Sequence, residues 1–379
     1  MKAADRSFDV VCLSHLKWEQ TLFQRPQQIM RRLSRRHRVL YLANCGTKEF
    51  VRSVFKGDFR FFVGRDSANL FYLNIPFPPF AKHIRLFQDF VFYFTIVITK
   101  ILSKRFGFKN VYAWVFHPCY LPHLKRLPHE KLIYDCMDLF SGFERATAGV
   151  ILQEIRLLKK ADIVFTGGKS LQKAKEGVNP RTYCFPSGVE YEHFHKAALP
   201  QTPIPEDIGR LQRPILGYFG AVDERLDYDL LNYLCVKMPD CSVVLIGPLI
   251  LGCGFVPVDQ PNFHFLGKKE YDSLPEYLKA FDVCLMPFVI SELTRHISPT
   301  KTPEYLAGGK PVVSTAIPDV IEDYSDLVKI ARDFPEFAAQ VREALNEENA
   351  DLHLRLQNKA EAKSWEHIVE EMERLLAEL

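Results

Sequence analysis

Residues 282–313 read DVCLMPFVISELTRHISPTKTPEYLAGGKPVV. An apolar run, 282–286, ends at Pro287. A polar loop follows, then a short helical stretch containing Glu304 and Tyr305, then Gly308-Gly309 and a second apolar run from Pro311. Near-continuous apolar runs mark strands buried on both faces, as in a parallel sheet. Where such a strand gives way to a helix, free backbone N–H groups and the positive helix end offer a seat for phosphate. Ser298 and Thr300 add hydroxyls there, and Lys301 adds a cation. Glu304 follows Lys301 by three residues and shares its helical face. Anion binding alone does not explain a carboxylate beside a phosphate seat. It suits hydrogen bonds from the two ribose hydroxyls of a nucleotide. The alternative is an ordinary Lys–Glu surface pair.

The same alternation extends outward in both directions. Strands are expected at 9–13, 39–42, 59–63, 70–73, 112–116, 132–136 and 162–165, then at 215–219, 242–246, 262–266, 282–286, 311–314 and 327–330. Helices are expected at 26–34, 85–105, 145–160, 228–237, 274–280, 335–345 and 354–376. Two rounds of strand–helix alternation predict an α/β protein of two Rossmann-like, doubly wound parallel-sheet domains. The expected division is a first domain at 1–198, a linker at 199–214, a second domain at 215–355 and a C-terminal helix at 356–379. Prolines at 200, 203, 205 and 214 mark the linker. The last helix, with Trp365, either closes the second domain or packs back on the first. Ligands of such sheets bind at the carboxyl ends of the strands, so two domains facing each other make a cleft.

Composition narrows the class. With 379 residues, 47% hydrophobic and 25% charged, the chain is neither disordered nor collagen-like. The apolar helical run at 90–99 is half of the roughly 20 residues a membrane span needs. The uncharged stretch 241–258 is broken by Gly247, Pro248, Gly252, Gly254 and Pro257. No signal-peptide pattern opens the chain, so a cytoplasmic protein is expected. Nine cysteines without a C-x-x-C pair argue against disulfides or zinc. No G-x-G-x-x-G follows a strand, which argues against a nicotinamide enzyme. Residues 1–200 hold 32 Lys+Arg against 16 Asp+Glu, and residues 201–379 hold 17 against 30. Either the first half faces something anionic or the two halves attract each other. No nucleic-acid partner is expected.

The block from Ser298 to Val313, SPTKTPEYLAGGKPVV, resembles the donor-binding signature of GT-B glycosyltransferases of the family 4-like bacterial group. Other segments match in order: the FQRPQQ of 23–28, containing Arg25; YDCMD of 134–138; ADIVF of 161–165; FPSGVE of 185–190 with Phe194; GYFG of 217–220, ending in Gly220, with Arg225; and VLIGP of 244–248, containing Gly247. The resemblance implies a GT-B fold and a UDP- or GDP-sugar donor held by the second domain. It implies a retaining transfer with no metal or other cofactor, and the chain offers no Asp-x-Asp. Glu304 matches the ribose-binding glutamate. Arg225 and Lys301 stand where cations face the diphosphate and offset the charge growing on the leaving group. The family's other glutamate, eight residues before Glu304, is replaced by His296, with Glu292 four residues further back.

On the acceptor side, His117 ends a strand and is a candidate to bind a hydroxyl or shift a proton; a helix-start histidine is the plain alternative. Ser14, His15 and Lys17 follow the first strand, and Asp135 and Asp138 another. The helix after Pro26 carries Arg31, Arg32, Arg35 and Arg36, with Arg38 beyond. With Phe87, Phe90 and Phe94 it suggests docking on an anionic membrane surface, each basic residue contributing about 1 kcal/mol. The alternative is a solvated basic face and a phenylalanine core. The expected activity is transfer of a sugar to a polysaccharide or lipid-linked oligosaccharide acceptor, peripherally on the inner face of the cell membrane. Rival readings are a nucleotide-sugar epimerase or hydrolase, or a non-catalytic partner subunit that keeps the fold.

Overall fold

The computed structural model describes residues 8–18, 23–46, 52, 55, 57, 63–77, 85–137, 148–250, 258–291, 294–347 and 350–379. The chain divides into two compact units, residues 1–185 with 369–379, and residues 186–368.

The first unit is an eight-stranded sheet. Its strands are β1 (Asp9–Ser14), β2 (Val39–Gly46), β3 (Val63–Arg65), β4 (Leu70–Phe77), β5 (Val111–Val115), β6 (Lys131–Cys136), β7 (Ile163–Thr166) and β8 (Thr182–Cys184). They lie in the order β3-β4-β2-β1-β5-β6-β7-β8, parallel except for the β3–β4 pair. The order reverses between β1 and β5, the crevice where such sheets hold ligands. Every residue of β1 is buried, as an apolar strand covered on both faces requires. The helices are α1 (Arg25–Leu33), α2 (Arg85–Arg105), α3 (Leu121–Leu124), α4 (Ala148–Lys160) and α5 (Lys169–Lys175). Pro26 stands in the first turn of α1, where its fixed φ suits a helix start.

The second unit carries the helices α6 (Tyr191–His195), α7 (Glu206–Gly209), α8 (Tyr228–Lys237), α9 (Leu274–Ala280), α10 (Lys301–Ala307), α11 (Pro318–Tyr324), α12 (Phe334–Asn346) and α13 (Ala350–Glu361), and α14 (Trp365–Ala377) starts in it. Its sheet comprises β9 (Ile215–Phe219), β10 (Ser242–Ile246), β11 (Phe263–Phe265), β12 (Val283–Met286), β13 (Val312–Thr315) and β14 (Lys329–Ala331). The order β11-β10-β9-β12-β13-β14 is wholly parallel and reverses between β9 and β12. One core runs through this unit, from Val189 and Phe194 to Leu356 and Ala360.

Several expectations differ from what is found. The segment 199–214, read as a linker, sits in the second unit. Ile208 is fully buried in its core, and the Lys279 ammonium donates to the carbonyls of Leu199, Pro200 and Thr202 at 2.7–2.8 Å. The unit boundary falls at 185/186, ahead of α6, whose Phe194 stacks on Phe219 with centroids 5.7 Å apart. The single last helix is two, α13 and α14. Between them the chain turns aside to pair with Val189, whose amide donates to Lys363 and whose carbonyl accepts from Trp365. The strand expected at 59–63 falls, apart from Val63, outside the described residues.

Of the arginines expected to form a basic face after Pro26, Arg31, Arg35 and Arg36 are exposed, while Arg32 and Arg38 are engaged by the fold. Arg32 is buried and donates to Gln28. Arg36 pairs with Glu373 at 2.7 Å, and Arg38 with Asp9 at 2.9 Å. For Arg36 and Arg38 the partner is an acid distant in sequence.

Candidate functional site

In the second unit, strand β9 ends at Phe219 beside the point where the sheet order reverses. Gly220 follows with φ +155°, a backbone conformation that L side chains rarely adopt. A Cβ there would lie 2.5 Å from the Tyr218 hydroxyl and 3.1 Å from Lys301 Cε. Gly247, at the end of β10, has φ +152°, and its Cβ would stand 1.7 Å from the Gly220 carbonyl oxygen. Two strand ends thus meet backbone to backbone.

Helix α10 is anchored against this place by Tyr305. Its fully buried hydroxyl accepts the Phe219 amide at 3.0 Å, and the two rings meet edge to face at 4.8 Å. That fixes the first turn of α10 beside Gly220. There Lys301 Nζ lies 3.1 Å from Glu304 Oε2 and 3.2 Å from Thr300 Oγ1, and 5.6 Å above the Phe219 ring. Glu304 is buried, and burial pushes its carboxyl above the usual range. Lys301 pulls it back, and nearby Glu190 adds to the rise. Glu304 Oε1 has no hydrogen-bond partner among the described residues.

Arg225 is not an unengaged cation. Its Nε donates to Asp223 Oδ1 at 2.9 Å and its Nη2 to Oδ2 at 2.6 Å. Asp223, two residues earlier, was passed over in the sequence, although the spacing is short enough to have shown it. Nη1 of Arg225 has no partner among the described residues. Arg225 and Glu304 both act on the Tyr218 hydroxyl, which ties Arg225, Tyr218, Lys301 and Glu304 into one neighbourhood. Ser298 and Thr300 lie half-buried in the turn before α10. The His296 backbone forms a short turn with Thr294; its side chain, and Glu292, fall outside the described residues. A cavity of about 750 Å³ opens at the other, amino-terminal edge of this sheet, around Arg213, Lys310 and Arg342. It shares no residue with the Lys301–Glu304 set.

In the first unit, His15 follows β1 and His117 follows β5, the two strands flanking the reversal. Their rings lie 5.4 Å apart, tilted by 58°. His117 Nδ1 accepts the Cys119 amide at 3.1 Å, so the histidine also caps the turn after β5. That leaves the proton of the neutral ring on Nε2. Burial, then His15, pushes the His117 imidazole down to about 4. Partial desolvation lowers His15 as well. Both shifts favour the neutral imidazole.

Ser14, Arg25 and Asp135 turn inward instead. Ser14 is fully buried; its hydroxyl accepts the Leu16 amide and its carbonyl the Tyr120 hydroxyl. Asp135, also fully buried, accepts from Arg25 Nε at 2.7 Å and from Trp114 Nε1 at 3.4 Å. Arg25 Nη1 donates to the Phe185 carbonyl at 2.6 Å. All three are buried and bonded within the first unit. Asp138 falls outside the described residues. Among the described residues no group of three or more His, Cys, Asp or Glu side chains could hold a metal ion.

Residues 214–347 match the family model of Glycosyl transferases group 1. Over 206 residues the chain is 26% identical to the putative teichuronic acid biosynthesis glycosyltransferase TuaH of Bacillus subtilis (strain 168), covering 50% of this chain and 51% of that protein. The match therefore spans about half the length of that relative. Among solved structures, trehalose-6-phosphate from E. coli bound with UDP-2-fluoro glucose superimposes with a TM-score of 0.72 at 12% identity, over 98% of this chain and 99% of that one. Sucrose-phosphate synthase from Thermosynechococcus elongatus gives 0.72 at 14%, over 98% of each chain. An α,α-trehalose-phosphate synthase (UDP-forming) from Burkholderia vietnamiensis gives 0.70 at 12%, over 99% and 100%. The fold is GT-B, two parallel-sheet α/β units, as the sequence led us to expect.

Proposed function

We propose that the protein is a glycosyltransferase, moving a sugar from a UDP- or GDP-linked donor to a polysaccharide or lipid-linked acceptor. The observation that carries this reading is the partly buried Lys301–Glu304 pair beside Gly220, inside the segment that matches the group 1 family. Glu304 Oε1 accepts from the donor ribose. Lys301 and the Arg225 Nη1 group face the diphosphate.

In the transfer, the bond from the anomeric carbon to the β-phosphate oxygen breaks and a bond to an acceptor hydroxyl oxygen forms. The hydroxyl proton leaves to a base or to the departing phosphate. Negative charge grows on the diphosphate, where preorganised cations lower the barrier. Lys301 and Arg225 supply that charge, so the reading calls for no metal. Neutral His117 binds a sugar hydroxyl, with His15 beside it. Retention of anomeric configuration belongs to the same reading. The UDP-2-fluoro glucose complex supports a UDP donor, and the teichuronic acid relative supports a growing polysaccharide as acceptor. Such an acceptor is reached by a cytoplasmic protein lying on the inner face of the membrane.

The test is nucleotide release from UDP- and GDP-sugars, with and without a polyprenyl-linked saccharide. Release that depends on the acceptor supports transfer. Release without acceptor would make the protein a hydrolase or epimerase. No release and no nucleotide binding would make it a non-catalytic subunit.

A further inference from the structure

Helix α2 is apolar on two opposite faces. One face covers the first sheet through Val91, Ile98 and Leu102, with Thr95, Ile96 and Thr99 buried alongside. The other turns Tyr93, Phe94 and Ile101 outward, at 59%, 45% and 55% exposure. A helix packed on a sheet ordinarily presents a polar outer face, whereas here large apolar side chains stand exposed on it. Lys100, Lys104 and Arg105 stand exposed beside that outer face.

The neighbouring helices repeat the pattern. Leu121 and Leu124 of α3 and Leu157 and Leu158 of α4 share the core that α2 covers, so all three lie on one face of the sheet. Phe92 of α2 meets His123 of α3 with centroids 4.4 Å apart, and α3 packs on α4. On α4, Leu152 and Ile155 are exposed beside Arg156, Lys159 and Lys160, and Lys125 and Arg126 follow α3. The acid of α4, Glu154, points inward to Lys175 at 2.9 Å. Among the described side chains of α2, α3 and α4 there is no exposed carboxylate.

We propose that this three-helix layer is the face by which the protein lies on a bilayer containing anionic phospholipid. It deepens the membrane association stated above, and it does not depend on the donor-site assignment. The cations meet the negative surface potential of the headgroups, and the aromatic and aliphatic side chains enter the boundary beneath them. Tyrosine is at home at that depth. Past the end of α1, Arg36 and Arg38 already pair with Glu373 and Asp9.

The experiment is flotation of the full chain with phosphatidylcholine vesicles, with and without phosphatidylglycerol. Binding is expected to require phosphatidylglycerol and to weaken as salt rises. Lys100→Glu with Lys104→Glu should weaken it about tenfold or more, and Tyr93→Ser with Phe94→Ser and Ile101→Ser should remove what survives high salt. Lys237→Glu, in the second unit, should change nothing. Thermal midpoints guard against unfolding, and a Tyr93→Trp chain should show a blue-shifted emission on anionic vesicles. UDP and GDP titrations of the same variants should be unchanged, which separates failure here from failure of the donor site. No vesicle binding, binding indifferent to phosphatidylglycerol, or binding that both α2 variants leave intact would overturn the proposal. So would loss of self-association rather than of vesicle binding, which would mark a protein interface.

Discussion

Lys301 Nζ sits 3.1 Å from Glu304 Oε2, one turn along α10, and 5.6 Å above the ring of Phe219, which ends β9. A cation, a buried carboxylate and a strand end are thus held together by one short helix. Replacing Lys301 with Met keeps the stem over Phe219 and removes the charge. If this ammonium stabilises the departing diphosphate, kcat should fall by about 100- to 1,000-fold. Glu304, losing its neighbour, should also become harder to ionise. Steady-state kinetics with the sugar nucleotide checks this.

Gly220→Ala and Gly247→Ala are expected to destabilise unequally. At 220 the new methyl meets a side-chain end, the Tyr218 hydroxyl, at 2.5 Å. At 247 it meets the Gly220 carbonyl itself at 1.7 Å. Backbone strain of this kind costs on the order of 1–3 kcal/mol, so Gly247→Ala should be the worse of the two in urea unfolding. Gly220→Ala should also weaken nucleotide binding, because it pushes on Lys301.

Breaking the Arg25–Asp135 pair is expected to cost stability rather than chemistry. Asp135→Ala leaves a buried guanidinium held, among the described residues, by the Phe185 carbonyl alone, and removing one partner of a buried ion pair typically costs about 3–5 kcal/mol. Denaturant unfolding should show the loss in the first unit, while UDP or GDP affinity of the folded chain stays unchanged.

The His117 imidazole, lowered to about 4 by burial and by His15, sets a pH dependence of known sign. Between about pH 6.5 and about pH 4 the unfolded chain binds a proton that the folded chain does not. Stability should therefore fall as pH drops through that window. His117→Asn should flatten the acid side of the profile, as followed by thermal midpoint against pH. His123, also lowered to about 4, will leave a residual slope of the same sign.

Much of this architecture was legible because its strands are buried on both faces. In β1, β9, β10 and β12 every residue is buried, so the sequence shows an unbroken apolar run. Strand β8 was missed because its three residues, Thr182 to Cys184, are mostly not buried. The break between α13 and α14 was invisible because its cause, the pairing of residues 363–365 with Val189, lies far away in the chain. The pairing of Arg36 was invisible for the same reason, since its partner Glu373 is 337 residues distant. Lys301 and Glu304 were readable from local spacing alone. Tyr305, which positions them, was not, because an aromatic after a glutamate says nothing of the amide it will meet.

The most direct measurement is calorimetric titration of UDP and GDP into the wild-type protein and into Glu304→Ala, without added metal. The account predicts that one nucleotide binds and that the substitution weakens it by about 10- to 100-fold, as expected for losing charge-assisted hydrogen bonds. Equal affinity in both proteins, or binding of neither nucleotide to the wild type, would contradict it.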